Sequence, residues 1–114
     1  MARDVDAHFI GVGGAGMSAI ARVLVQMGWT VSGSDLKESR NTERLREEGI
    51  TVWIGHDPAN VERAKRVVVS SAIPPTNPEV KAAEEYFKDL GTKWMTRTIQ
   101  LGDEYSDRTI EMVM

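Results

Sequence analysis

The sequence predicts an α/β fold: an open parallel sheet of about five strands with helices on both faces, in one domain spanning residues 1–114. Three observations carry that expectation. Short β-branched runs alternate with longer stretches of helical period, as βαβ units require. A knot of glycines, Gly11, Gly13, Gly14 and Gly16, stands where the first strand should hand over to the first helix. The length, with 41% hydrophobic and 27% charged residues, suits a single soluble core.

His8 to Val12 is apolar nearly throughout, as a strand covered on both faces should be. From Met17 the period changes: Met17, Ile20, Ala21 and Leu24 lie on one helical stripe, and Gly28 supplies a stop. Thr30 to Gly33 reads as the second strand, Thr42 to Glu48 as a helix ended by Gly49, and Thr51 to Ile54 as the third strand. A short helix near Ala59 to Ala64 leads to Val67, Val68 and Val69, the most strand-like run and the expected centre of the sheet. Asn77, Pro78 and Glu79 form a helix start: a capping amide, a proline at the first position and an acid near the positive helix end. That helix should run to Leu90 and close at Gly91, followed by a strand at Lys93 to Met95, a short helix at Thr98 to Tyr105 and an extended run at Arg108 to Val113.

Composition excludes several classes of function. With 14 basic against 17 acidic residues the net charge is −3, so no bulk positive field gathers nucleic acid or anionic lipid, and any phosphate must be held locally. Cysteine is absent, which removes disulfides and thiolate metal sites and fits a cytoplasmic location. Phe9 to Val25 is the one stretch apolar enough to suggest a membrane span; its crowded glycines and lack of a basic flank favour a strand, a turn and a buried helix.

Gly11-Val12-Gly13-Gly14-Ala15-Gly16 satisfies G-x-G-x-x-G between a strand and a helix, the context in which that pattern has meaning. Gly11 permits the tight turn, Gly13 lets a diphosphate approach the backbone, and Gly16 lets the helix pack close to the strand. Free amides of the first helical turn then face the phosphates. Asp35 stands nineteen positions past Gly16, where an acid accepts ribose hydroxyls in such Rossmann-like folds. Taken alone, Asp35 suits a turn cap beside Ser34 equally well.

The run from His8 to Ser18 resembles the opening of the UDP-N-acetylmuramate:L-alanine ligase branch of the Mur ligase family, as do Ser32-Gly33-Ser34-Asp35, Gly55-His56-Asp57 and Ser70-Ser71-Ala72-Ile73-Pro74-Pro75 with Asn77-Pro78-Glu79. The resemblance implies a ligase of peptidoglycan synthesis that joins L-alanine to UDP-N-acetylmuramate with ATP and magnesium, and whose N-terminal domain holds the UDP end of the substrate. By that similarity the turn of Gly13, Gly14, Ala15, Gly16 and Met17, with Ser18 among the contacts, would hold the diphosphate. Asp35, His56 and Ser70 would lie around the uridine, with Ser71, Ala72 and Ile73 as the neighbouring wall. On its own, His56 reads as an exposed loop histidine, and Ser70 and Ser71 read equally as turn-forming hydroxyls.

The sequence departs from the family at its far end. There a strand like Arg108-Thr109-Ile110 leads into a Gly-Thr-His-Gly-Lys-Thr phosphate loop, whereas here no G-x-x-x-x-G-K-[ST] occurs. The ATP-binding and amino-acid-binding domains of the family are expected to be absent too. The chain is therefore expected to bind UDP or UDP-N-acetylmuramate and the remaining ligase domains, to hold no cofactor or metal, to touch neither nucleic acid nor membrane, and to be inactive alone, with no catalytic residue assigned. The alternative is an NAD(P)-binding Rossmann domain of an oxidoreductase or regulator, which Gly11, Gly13, Gly16 and Asp35 alone would suit as well.

Overall fold

The computed structural model describes residues 4–89, 95–99 and 108–113. Four strands, β1 (Ala7–Ile10), β2 (Val31–Asp35), β3 (Thr51–Ile54) and β4 (Val67–Ser70), form a parallel array in the order β3-β2-β1-β4. Two more, β5 (Met95–Ile99) and β6 (Arg108–Val113), extend it to six, β6 running antiparallel to both β4 and β5. The expected α/β sheet is present with four parallel strands rather than about five. Both added strands mix polar and charged residues with apolar ones, unlike the continuous apolar runs of doubly covered parallel strands. Thr98 and Ile99, expected to open a short helix, instead end β5, because strand pairing to β6 outweighs a weak local helical signal. The rest of that expected helix, together with Leu90, Gly91, Lys93 and Trp94, lies outside the described residues.

Helices cover both faces. On one, α1 (Ala15–Gln26) and α2 (Arg40–Glu47) pack against Phe9, Val31, Val52 and Val68. On the other, a 3₁₀ turn (Pro58–Val61) and α3 (Pro78–Asp89) pack against Ile10, Val67 and Val69. Adjacent residues of β1 thus feed opposite cores, as strand alternation dictates. The expected stripe holds: Met17 and Ala21 are buried, and Ile20 and Leu24 pack beside them. Phe9 to Val25 resolves into strand, turn and helix, and no helix among the described residues is long and apolar enough to cross a membrane.

Local signals set the helix ends. Ser39 Oγ accepts from Thr42 N at 3.2 Å while Ser39 N donates to Thr42 Oγ1 at 2.8 Å, a reciprocal cap for α2. Asn77 Oδ1 accepts from Glu79 N at 2.8 Å and Val80 N at 3.3 Å, opening α3 as expected. The segment after His56 is a single 3₁₀ turn, shorter than the helix expected at Ala59 to Ala64. Arg46 ties α2 to the sheet: Nη1 donates to both oxygens of Glu38 at 2.6 and 2.7 Å, and Nη2 donates to Val52 O at 3.0 Å. Trp29 is half-buried, with the Arg66 guanidinium 4.6 Å from its ring centre, whereas Trp53 on β3 is 39% exposed.

Candidate functional site: a cleft at the strand ends

Chain order reverses between β1 and β4, since β2 and β3 lie to one side of β1 and β4 to the other. Loops leaving the C-terminal ends of such strands diverge and open a crevice, the ligand site of open α/β sheets. A cavity of about 420 Å³ lies there, within the size range of small-molecule sites. Its floor is the glycine turn, its sides come from Asp35, Leu36, Lys37 and Ser39 and from His56, and Ser70, Ala72 and Ile73 close it.

The turn is built by backbone. Gly11 has φ +86°, and its N–H, with that of Val12, donates to Ser34 O at 2.9 and 3.0 Å. A left-handed residue there lets the chain fold over the end of β2. A Cβ on Gly11 would stand 3.0 Å from Ile73 Cδ1, so the loop after β4 presses on the turn. Gly14 is the N-cap of α1, and the amides of Ala15, Gly16 and Met17 follow it with no carbonyl four residues earlier in the helix. Unlike α2 and α3, α1 carries no acidic residue in its first turn, so no helix-borne carboxylate competes for those donors.

Gly13 has partners within the protein as well as a place in the cavity lining. Asp35 Oδ2 accepts the Gly13 N–H at 2.8 Å, Asp35 Oδ1 accepts from Leu36 N at 2.8 Å, and Asn41 Nδ2 donates to Gly13 O at 2.9 Å. A Cβ on Gly13 would stand 2.8 Å from Asp35 Oδ2 and 3.2 Å from Thr42 Cγ2. The close approach that demands glycine is therefore made by a side chain of the same protein. Each carboxylate oxygen of Asp35 keeps lone-pair capacity beyond its one amide.

Of the residues singled out from sequence, Gly13, Gly14, Ala15, Gly16, Met17, Asp35, His56, Ser70 and Ala72 all line the cavity, and Ser18 and Ser71 do not. Ser18 is buried and donates to Ala15 O at 3.0 Å, an internal helix bond. Ser71 is exposed outside the wall. Ser70 Oγ accepts from Ala72 N at 3.3 Å and so serves its own turn while facing the cavity. Leu36, Lys37 and Ser39 were missed; they lie within four positions of Asp35, and the signal was their place just past a strand's C-terminal end.

The group least visible in sequence lies behind the cavity. Glu79 is fully buried, with Oε1 2.5 Å from His8 Nε2 and accepting Ser34 Oγ–H at 2.9 Å, and Oε2 2.7 Å from His56 Nδ1. His8, also fully buried, reaches Ser32 Oγ through Nδ1 at 2.8 Å and so sits at the centre of this cluster. Burial raises the pKa of the Glu79 carboxyl, but hydrogen bonds and charge from His8, with hydrogen bonds from Ser34 and His56, outweigh it and hold the group below the ordinary glutamate value of 4.5.

The family model described as Mur ligase family, catalytic domain, matches residues 6–95. The chain belongs to the Mur ligase family. It is 52% identical over 77 residues to a UDP-N-acetylmuramate--L-alanine ligase of Aquifex aeolicus, covering 68% of this chain and 17% of that protein. To the ligase of the same name from Polynucleobacter asymbioticus it is 58% identical over 76 residues, covering 67% and 16%. This Mur ligase chain thus spans about a sixth of the length of the curated relatives it matches. Among solved structures it resembles the UDP-N-acetylmuramate-alanine ligase of Thermotoga maritima, with a TM-score of 0.66 and 33% identity over 75% of this chain and 22% of that one. A murein peptide ligase from Psychrobacter arcticus gives a TM-score of 0.65 at 28% identity, over 81% and 19%.

Proposed function

We propose that this chain holds the UDP end of UDP-N-acetylmuramate, as the N-terminal domain of an ATP-dependent UDP-N-acetylmuramate:L-alanine ligase of peptidoglycan synthesis, and that it is a binding module rather than a catalyst by itself. The observation that carries this is the convergence of four loops on one crevice whose floor is an amide-lined helix start. Ala15, Gly16 and Met17 offer amides to a diphosphate, reinforced by the helix dipole, and Lys37 adds a cation at the wall. On this reading Asp35 and His56, which both line the cavity, accept ribose hydroxyls and meet the base respectively. The relatives named as UDP-N-acetylmuramate--L-alanine ligases support the choice of nucleotide.

ATP and magnesium belong, on this reading, to the complete ligase. Among the described residues no group of His, Asp and Glu could hold a metal ion, and the sequence has no P-loop, so neither enters a step proposed for this chain. The companion domains are the proposed partners, and neither nucleic acid nor membrane is one. Affinity should be modest, because a one-domain site leaves the sugar end of the ligand in water.

Titration with UDP-N-acetylmuramate, UDP, NADH and ATP, followed through backbone amide shifts, tests the reading. The UDP compounds should move Ala15 to Met17, Asp35 and His56. Should NADH move those amides while the UDP compounds leave them unchanged, the site is a dinucleotide site, the alternative that the glycine turn and Asp35 keep open.

A further inference from the structure

His56 is the side chain through which the loop after β3 reaches the cavity, and its orientation is set from behind. Its Nδ1 lies 2.7 Å from Glu79 Oε2 and 3.1 Å from Ser34 Oγ. Glu79 is itself immobilised: Oε1 lies 2.5 Å from His8 Nε2 and accepts from Ser34 Oγ, and its backbone N–H is held by Asn77. The His8 ring is fixed in turn by Ser32. The chain of contacts Ser32–His8–Glu79–His56 therefore runs from the middle of the sheet, beneath the wall, to the cavity.

An ionised carboxylate can only accept hydrogen bonds, so the His56 nitrogen facing Glu79 must carry a proton. A neutral imidazole protonated at Nδ1 leaves a bare lone pair at Nε2. With Nδ1 engaged, Nε2 is the ring nitrogen left to face a ligand.

We propose that Glu79 is a positioning residue which fixes His56 in the Nδ1–H form, so that the ring offers the cavity a hydrogen-bond acceptor and selects a base bearing an imide N–H, uracil over cytosine. This rests on the reading of the cavity as a uridine site. Uracil presents N3–H as a donor where cytosine presents a lone pair, so Nε2 pairs with the first and opposes the second. A site made to bond a donor discriminates strongly against a ligand lacking it, because a buried polar group is then left unpaired.

The test has two arms on the 114-residue chain. Ring-nitrogen NMR of His56 in the free protein at neutral pH should show Nδ1 protonated and Nε2 bare; a proton on Nε2, alone or in an imidazolium, overturns the proposal. In the second arm UDP and CDP are titrated into the unaltered chain and into Glu79→Gln. The unaltered chain should prefer UDP, and the variant should lose about tenfold or more in UDP affinity and most of its preference, the scale expected for one misdirected buried hydrogen bond. A folded variant with unchanged affinity, preference and ring signals overturns the proposal. Should the variant fail to fold, the signals of the unaltered chain decide. Should neither nucleotide bind the unaltered chain, the uridine reading falls, and the ring signals still decide whether Glu79 sets the tautomer.

Discussion

A carboxyl sealed from solvent feels two opposed influences, the loss of hydration and the pull of its partners, and at Glu79 the partners win. The sign of the consequence follows. A carboxyl whose pKa is lower in the folded than in the unfolded chain contributes stability above its ordinary value of 4.5, and that contribution disappears as pH falls through the folded value. Urea midpoints measured from pH 6 downward should therefore fall more steeply below pH 4.5 in the natural chain than in Glu79→Gln. The comparison isolates Glu79 from Asp6 and Glu38, whose carboxyls are also held low, Asp6 first by the Thr30 amide and Glu38 first by Arg46. Two glycines make a second residue-scale contrast. A Cβ on Gly33 would stand 2.5 Å from Val12 Cβ, an atom that backbone holds in place, whereas a Cβ on Gly13 would meet the end of the Asp35 side chain. Gly33→Ala should cost about 1–3 kcal/mol or more of unfolding free energy, as overpacked cores do. Gly13→Ala should cost less in stability and more in UDP affinity, since it displaces Asp35 from the turn. Equal losses of both quantities in the two variants would contradict this division.

Among the elements, α1 differs from its neighbours in opening with a glycine cap and no acid. Gly14 is exposed, has ordinary extended backbone angles, and a Cβ there would meet only Gly11 O at 3.6 Å. Gly14→Asp should thus hold or raise thermal stability by a few tenths of a kcal/mol, because aspartate caps helices at least as well as glycine. The same change should weaken UDP binding by tenfold or more, because a like charge would sit where the diphosphate is drawn, at a cost of a few kcal/mol. Melting curves beside a UDP titration check both signs; tighter binding would remove α1 from the site. That element was legible in advance, as its glycine spacing and apolar stripe lie within a few neighbouring residues. So was the start of α3, where Asn77 and Pro78 announce a cap. What Glu79 does beyond that cap was not legible: its partners lie 23, 45 and 71 positions away, and no local period encodes such distances. The contact between Gly13 and Asp35 was hidden for the same reason, since glycine spacing shows that something approaches the backbone and does not name Asp35 as one such group.

For the molecule as a whole, the alternation of strands and helices gave the layers, and the direction of the last two strands escaped it. Period distinguishes a strand from a helix; it carries no sense of which way a strand runs, and only the partner, β4 for β6, decides that. The crevice was foreseeable because loops after parallel strands share one end of the sheet, which is why nine scattered positions from Gly13 to Ala72 meet around one cavity.

Among the described residues the sheet finishes on one side at β3, whose Thr51-Val52-Trp53-Ile54 carries no charge and has two exposed apolar residues. Such a border is a template on which a second chain can add a strand. The guanidinium of Arg46, occupying the carbonyl of Val52, acts as a stopper on that template. Arg46→Ala should make sedimentation depend more steeply on concentration than it does in the unaltered chain, and adding Thr51→Lys should reverse the change. Unchanged sedimentation of the single variant would mean that the border is guarded by something other than this one side chain.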